Sequence, residues 1–204
     1  DLERAEELSK VKTDLIVIDT AHGHTQKVLN MIIKIKKKLK NCTLCAGNIA
    51  TGKAAKFLAD SGVDIIKVGI GPGSICTTRL VAGIGVPQLS AVLDVKKALK
   101  NYRTKIVSDG GIKFSGDLAK AIAAGADAVM IGSLFSGTME SPGKIIKYKG
   151  KFYKNFRGMG SVGAMSVGSA DRYYQKKFKD VSKYVPEGVE GMVKFKGTVK
   201  KIIY

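Results

Sequence analysis

The 204-residue sequence is poor in cysteine, proline and aromatic residues: it has three cysteines, four prolines and no tryptophan. Three is an odd number, and the cysteines show no disulfide framework, which fits a reducing compartment. Cys42 and Cys45 have the C-x-x-C spacing, but a zinc site needs two further ligands, and no second cysteine pair or suitably spaced histidine pair is present. Both are therefore predicted to be buried strand residues.

Long hydrophobic runs are also absent. No apolar stretch approaches the roughly 20 residues that a membrane-spanning helix needs. The first residues, Asp1 to Arg4, lack the basic and apolar regions of a signal peptide. With 45% apolar residues and 24 glycines, the composition is that of a globular protein with one buried core. We therefore expect a cytoplasmic protein without membrane contact.

Acidic residues are scarce relative to basic ones. Asp and Glu number 17 against 35 Lys and Arg, which gives a formal net charge of +18. Such a charge can attract a phosphorylated ligand or a nucleic acid. The lysines are scattered along predicted helix faces, for example at 34–38, without interleaved aromatic residues. This pattern favours a solvated basic surface, and a nucleic-acid-binding fragment is the alternative outside enzymes.

Short apolar runs alternate with amphipathic stretches of helical length. Strands are predicted at Leu15–Asp19, Thr43–Gly47, Ile65–Val68, Lys105–Ser108 and Ala128–Ile131. Helices are predicted at Thr25–Leu39, Gly52–Ser61, Ala91–Lys100 and Ser115–Ala124. The alternation indicates an α/β fold with a parallel sheet, and each strand ends in a polar or glycine-rich loop. Five such units suit either an open doubly wound sheet or part of a (β/α)₈ barrel.

After Pro142 the pattern changes. Residues Lys144–Phe156 alternate around Gly150 and predict a β-hairpin. The following segment, Arg157–Gly168, is rich in Gly, Met and Ser and has little periodicity. Such a stretch inside a compact domain is typical of a functional or mobile segment.

The most informative motif is Gly71-Pro-Gly-Ser-Ile-Cys-Thr-Thr78, which follows an apolar run. Gly71 and Gly73 let the backbone approach a ligand closely or turn its carbonyls toward a cation. Ser74, Cys76 and Thr78 supply a phosphate donor, a candidate nucleophile and a hydroxyl. A lone cysteine after a strand is more often a buried apolar residue, so the residues alone leave both interpretations of Cys76 open.

This loop and four further segments closely resemble the inosine 5′-monophosphate (IMP) dehydrogenases. The further segments are Ser108-Asp-Gly-Gly-Ile112, Met130-Ile-Gly-Ser133, Arg157-Gly-Met-Gly-Ser161 and Asp171-Arg-Tyr173. The resemblance implies a (β/α)₈ TIM barrel, of which residues 1–204 form one partial catalytic domain with about five C-terminal βα units. It also implies that residues 144–190 form a hairpin and a mobile flap. The regulatory CBS domain and the C-terminal tail of that family have no counterpart in the sequence.

The resemblance further implies oxidation of IMP to xanthosine monophosphate (XMP) with NAD, in guanine nucleotide biosynthesis. Cys76 is implied to attack C2 of the purine and to carry a covalent thioimidate after hydride transfer. Hydrolysis is implied to use Arg172, next to Tyr173, as the base, with Thr78 helping to position the water. Because arginine is ordinarily protonated, this role needs an unusual environment.

The resemblance also assigns the binding residues. Phosphate donors are implied at Ser74, Gly111, Gly132 and Ser133, the ribose acceptor at Asp109, and purine contacts at Met159, Gly160 and Glu187. Phe156 stands where a tyrosine hydroxyl often contacts the phosphate, so that contact is expected to be lost or replaced by water. The implied NAD site comprises Asp19, Thr20, Asn48 and Gly69.

Potassium is implied at the carbonyls of Gly71, Gly73 and Cys76, with further ligands from a neighbouring subunit of a homotetramer. GMP reductase is the nearest alternative, since it shares the cysteine loop and the Asp-Gly-Gly strand. The flap of that enzyme, however, lacks the patterns seen at 157–161 and 171–173, and reductive deamination needs no hydrolytic base.

Overall fold

The computed structural model describes residues 2–203 and is built around a five-stranded parallel sheet. Its strands are β1 (Leu15–Asp19), β2 (Thr43–Ile49), β3 (Ile65–Val68), β4 (Lys105–Asp109) and β5 (Ala128–Met130). They lie in the order β1-β2-β3-β4-β5, so each strand pairs with the next one in the chain. A doubly wound sheet reverses its order at a switch point. The unbroken order found here is that of a barrel wall.

Helices cover one face of this sheet. In chain order the helices of this half are α1 (Leu2–Lys10), α2 (Gln26–Lys38), α3 (Gly52–Ala59), α4 (Thr78–Val81), α5 (Gln88–Ala98) and α6 (Ser115–Ala123). The short α4 belongs to the loop after β3, and its Leu80 and Val81 are exposed. Right-handed connections place successive crossover helices on the same side of a sheet that is built in one direction. Apolar strand residues and helix residues form the main core, which includes Ile16, Leu44, Ile66, Ile106, Ile32, Leu58 and Val92. Among residues 2–203, no helix is long and apolar enough to span a membrane.

The other face of the sheet looks away from these helices. Because side chains alternate along a strand, this face carries Val17 of β1, Lys67 of β3 and Met130 of β5. Val17 and Met130 are each 41% exposed. The sheet is therefore the wall of an incomplete barrel, with its inner face open.

The predicted element bounds agree with the structure to within three residues. Thr25, the predicted first residue of α2, is its N-cap, and its hydroxyl accepts a hydrogen bond from the Val28 N–H. Strand β2 runs two residues past the predicted Gly47 because Ile49 continues the pairing with β3. Cys42 and Cys45 are buried and form no disulfide, as predicted. Cys45 lies in β2, whereas Cys42 directly precedes the first residue of that strand, Thr43, and so is not a strand residue.

The second half of the chain adds an antiparallel sheet of β6 (Ile145–Tyr148), β7 (Lys151–Arg157) and β8 (Glu190–Lys194). The predicted hairpin is β6–β7, and its two turn residues, Lys149 and Gly150, have φ values of +47° and +74°. Positive φ at both positions is the signature of a type I′ turn. Between β7 and β8 lie α7 (Val162–Val167) and two 3₁₀ helices, Ser169–Tyr173 and Val181–Lys183, and α8 (Val199–Ile203) follows β8.

Candidate active site

A cavity of about 410 Å³ lies over the carboxyl ends of the barrel strands, beneath the segment that follows β7. Seventeen of the nineteen predicted site residues line it. They are Asp19, Asn48, Gly69, Gly71, Gly73, Ser74, Cys76, Asp109, Gly111, Gly132, Ser133, Phe156, Met159, Gly160, Arg172, Tyr173 and Glu187. Thr20 and Thr78 do not line the cavity. The strand-end loops thus bring together residues that are far apart in sequence, as a barrel does.

Cys76 is held in a fixed position in the loop after β3. Its backbone N–H donates to the Gly73 carbonyl at 3.1 Å, which closes a tight turn. The residues on either side bind the segment after the second 3₁₀ helix: Thr77 N–H donates to the Glu187 carbonyl, and the Ile75 carbonyl accepts from Val189 N–H. The cysteine remains partly exposed to the cavity. It is therefore the one cysteine of the chain that a ligand in the cavity can reach.

Behind Cys76 lies a short chain of polar side chains. The Cys76 thiol donates to the Thr78 hydroxyl, with 3.2 Å between Sγ and Oγ1. The Thr78 hydroxyl in turn donates to Glu187 Oε2 at 2.7 Å. Thr78 is buried, which explains why it does not line the cavity itself. The structure thus connects the candidate nucleophile to a carboxylate on the cavity wall.

Arg172 lies in the first 3₁₀ helix and forms an ion pair with Asp19 at the end of β1. Two further bonds join these segments: Ala21 N–H donates to the Arg172 carbonyl at 2.9 Å, and the Tyr174 hydroxyl donates to the His22 carbonyl at 2.6 Å. Burial alone lowers the pKa of Arg172, but the Asp19 carboxylate outweighs it and leaves the pKa raised. In this arrangement the guanidinium is protonated, the opposite of what a general base requires.

Tyr173, Met159 and Gly160 form the wall opposite the strand ends. Gly160 is buried against Tyr173, and a methyl group on it would lie 2.9 Å from the Tyr173 Cζ atom. Met159 is 54% exposed. Burial raises the pKa of the Tyr173 hydroxyl even though Arg172 acts in the other direction. The phenol is therefore neutral at neutral pH and able to donate a hydrogen bond.

Lys67 of β3 is a buried charged residue of the site that sequence reasoning missed. It is 3% exposed, and its Nζ lies 2.7 Å from Asp19 Oδ1 and 2.9 Å from Asp109 Oδ2. The available signal was a lysine within the apolar strand 65–68, since a lysine is rarely buried unless it is paired. The ammonium balances two carboxylates that belong to different parts of the predicted site.

Asn48 and Thr20, both predicted to bind NAD, differ in how their side chains are hydrogen-bonded. The Asn48 amide donates to Asp109 Oδ2 at 2.9 Å and to the Gly69 carbonyl at 2.8 Å. Its carbonyl oxygen is buried and has no hydrogen-bond partner among residues 2–203. The Thr20 hydroxyl donates to the Gly47 carbonyl at 2.7 Å. Asn48 therefore keeps one buried acceptor without a partner in the described part of the chain, whereas the Thr20 hydroxyl is used within the fold.

The predicted phosphate donors come from three loops at the other end of the cavity. Ser74 follows β3, Gly111 follows β4, and Gly132 and Ser133 follow β5. Gly110 has a φ of +91°, and a methyl group there would lie 2.8 Å from Cγ of Pro72. The glycine thus lets the β4 loop lie directly against the cysteine loop, which places their donors side by side.

The metal-ligating side chains do not form a cluster. Among residues 2–203, no three His, Cys, Asp or Glu side chains gather as they would around a metal ion. A cation held by backbone carbonyls is a different case. Gly71 has a φ of +82°, and the Gly73 carbonyl already accepts the Cys76 N–H but retains a second lone pair. The loop can therefore contribute carbonyl ligands, but only part of a full shell.

Comparison with known proteins is consistent with this geometry. A family model described as "IMP dehydrogenase / GMP reductase domain" matches residues 1–204. Inosine-5′-monophosphate dehydrogenase of Rhizobium tropici is 56% identical over 99% of the chain, and that of Borreliella burgdorferi is 55% identical over 99%. The chain spans 41% and 50% of the length of these two relatives.

A solved structure is also similar. The crystal structure of GMP reductase from Trypanosoma brucei in complex with guanosine 5′-monophosphate matches 98% of the chain with a TM-score of 0.88 and 43% identity. The chain covers 41% of that protein. This match confirms the predicted α/β fold as part of a TIM barrel.

Proposed function

Because the chain belongs to the IMP dehydrogenase / GMP reductase family, we propose that the protein containing it oxidises IMP to XMP with NAD. The observation that carries the proposal is the placement of Cys76. It lies on the same cavity wall as the predicted phosphate donors, and it is hydrogen-bonded to Thr78, which is in turn hydrogen-bonded to Glu187. A nucleophile needs such a position to reach the purine of a nucleotide whose phosphate is held elsewhere.

In the proposed complex, the phosphate lies against Ser74, Gly111, Gly132 and Ser133. The ribose hydroxyls donate to Asp109, which is held by Lys67 and Asn48. The purine then extends toward Cys76, with Met159 and Gly160 beside it and Glu187 at its N1 edge. We propose that residues 144–190 act as a flap that closes over this complex.

The chemistry assigned to Cys76 is addition and release. Its thiolate forms a bond to C2 of IMP, and the hydrogen at C2 leaves as hydride, which NAD accepts to become NADH. Cys76 is left bonded to C2 as a thioimidate. Water then adds to C2, its proton passes to a base, and the C–S bond breaks to return the thiolate and release XMP.

We place the nicotinamide end of NAD at the end of the cavity near β1 and β2. The unpartnered Asn48 oxygen is an acceptor that suits the amide N–H of the nicotinamide carboxamide. Gly69 and Asp19 lie beside it on the cavity wall. Thr20 contributes through the backbone position of this loop, since its hydroxyl is bound to Gly47. We propose that potassium binds the carbonyls of Gly71, Gly73 and Cys76, and that the protein forms a homotetramer.

Two groups are candidates for the base. Arg172 can serve only after it separates from Asp19, because that carboxylate keeps the guanidinium protonated. We propose that movement of the flap separates Arg172 from Asp19. Glu187, acting through the Thr78 hydroxyl, already has a connected route toward Cys76.

The proposed function is tested by supplying the purified protein with IMP and NAD in potassium buffer. NADH formation, with XMP as the product, is expected. The likeness to a solved GMP reductase favours one alternative, in which GMP and NADPH are converted to IMP, NADP and ammonia. Consumption of NADPH that depends on GMP, without NADH formation from IMP, would identify the reductase.

Phe156 provides a quantitative test of the phosphate end. It lines the cavity and is half-buried in β7, opposite Gly191 of β8. If its ring faces the phosphate, Phe156→Tyr adds a hydroxyl donor and is expected to tighten IMP binding by about 1.5 to 3 kcal/mol. Calorimetric titration with IMP measures this change, and inosine without phosphate is the control. Tightening that is equal for inosine would place the ring away from the phosphate.

A further inference from the structure

The inner face of the barrel wall contains a buried ammonium that takes no part in the proposed bond-making and bond-breaking steps. Lys67 is 3% exposed in the centre of β3, and a charge is costly to bury unless it is paired. Its two charged partners come from different strands: Asp19 from β1, at 2.7 Å, and Asp109 from β4, at 2.9 Å. One nitrogen therefore joins the cofactor side of the cavity to the ribose side.

The sheet is built so that Lys67 can make this bridge. Strand β2 lies between β1 and β3, and the residue of β2 beside Lys67 is Gly47. A methyl group at Gly47 would lie 2.7 Å from Cβ of Lys67, so any larger residue would displace the lysine. A glycine inside a strand commonly marks such a close approach. Because Gly47 has no side chain, Lys67 can reach across β2 to Asp19.

We propose that Lys67 is a positioning residue that keeps Asp109 and Asp19 ionised and oriented. Because both carboxylates pair with the same ammonium, the ribose of the nucleotide and the β1 loop are held in a fixed position relative to each other. The inference rests on the proposed function. Without the ammonium, two carboxylate oxygens would face each other within about 6 Å, where like charges disfavour ionisation.

The surrounding charged groups agree with this role. Arg172 faces Asp19 from the first 3₁₀ helix, and the Asn48 amide faces Asp109 from β2, so Asp19 has a second cation while Asp109 has only a neutral donor. Cys45 of β2 is the remaining titratable neighbour, and burial raises its pKa to about 11, so it stays neutral. Among the described residues, Asp109 therefore depends on Lys67 for its counter-charge.

The test compares the pH dependence of IMP binding in the wild-type protein, Lys67→Met and Lys67→Arg. A carboxylate that needs its charge loses function as the pH falls, and a neighbouring cation lets it keep that charge to lower pH. In Lys67→Met we expect the acid limb to move to higher pH by about one unit or more. We expect IMP to bind about ten-fold or more weakly near that limb. Lys67→Arg keeps the charge and is expected to hold the limb near its wild-type position.

Lys105→Met is the matched control, because Lys105 lies on the next strand and its ammonium pairs with Asp127 at 3.0 Å, with 65% of its side chain exposed. It is expected to leave the pH profile unchanged. An unshifted limb in Lys67→Met, or an equal shift in Lys67→Arg, would overturn the role of Lys67. If Lys67→Met does not fold, Lys67→Gln, which also removes the charge but keeps a polar group, takes its place with the same expected shift of the limb. A wild-type protein that binds IMP but forms no NADH rejects the proposed function separately.

Discussion

Replacing Cys76 with alanine is expected to abolish NADH formation from IMP and NAD, with a loss on the order of 10³-fold or more. The thiolate forms the bond to C2, and no neighbouring group can replace it. IMP binding is expected to survive, because the phosphate and ribose contacts come from other loops. Stopped-flow measurement of NADH gives the loss in rate, and calorimetry with IMP gives the affinity.

The other two cysteines are the controls for this experiment. Cys45 is buried, and burial raises its pKa to about 11, so its thiolate is scarce at neutral pH. Cys42 is buried as well. Incubation with IMP and NAD, followed by acid quench and peptide mass analysis, is expected to find the nucleotide on the peptide containing Cys76. An adduct on Cys42 or Cys45, or normal turnover by Cys76→Ala, would contradict the assignment.

The sequence predicted the barrel wall well because its signals are local. Each inner strand is a short apolar run, and each connecting helix has apolar residues at helical spacing. β8 was missed because its residues, Glu190–Lys194, have little apolar alternation and become a strand by pairing with β7. Helix α1 was missed for a similar reason: its nine residues are mostly charged, and only Ala5 is buried.

The site was predictable as a set of residues but not as a set of contacts. Motifs identified the cavity wall, yet no pattern linked Asp19 to Arg172, which lie in distant segments and meet only because the 3₁₀ helix folds onto the β1 loop. The same holds for the Thr78–Glu187 hydrogen bond. The burial of Lys67 was not predicted, because a short apolar run that contains one charged residue has the same pattern as a strand with one solvent-exposed face. Of these contacts, the pairing with Asp19 is the one that keeps Arg172 protonated.

The ion pair with Asp19 makes Arg172 the most informative residue for the second half of the proposed reaction. If Arg172 is the hydrolytic base, it acts only after hydride transfer, when the flap has separated it from Asp19. Arg172→Ala is then expected to form the thioimidate normally and to hydrolyse it on the order of 10² to 10⁴ times more slowly. The alternative base, Glu187 acting through Thr78, predicts that Glu187→Gln has this phenotype instead.

Rapid mixing of each variant with IMP and NAD distinguishes these cases. A base at Arg172 predicts a full burst of NADH followed by a slow steady rate in Arg172→Ala, and no such burst in Glu187→Gln. Arg172→Lys is the matched control, since a lysine can still pair with Asp19 and preserve the fold of the 3₁₀ helix, but it has a different proton affinity. Loss of the burst in Arg172→Ala, while Arg172→Lys retains it, would place Arg172 in the first step through its pairing with Asp19. A burst confined to Glu187→Gln would assign the base to the carboxylate.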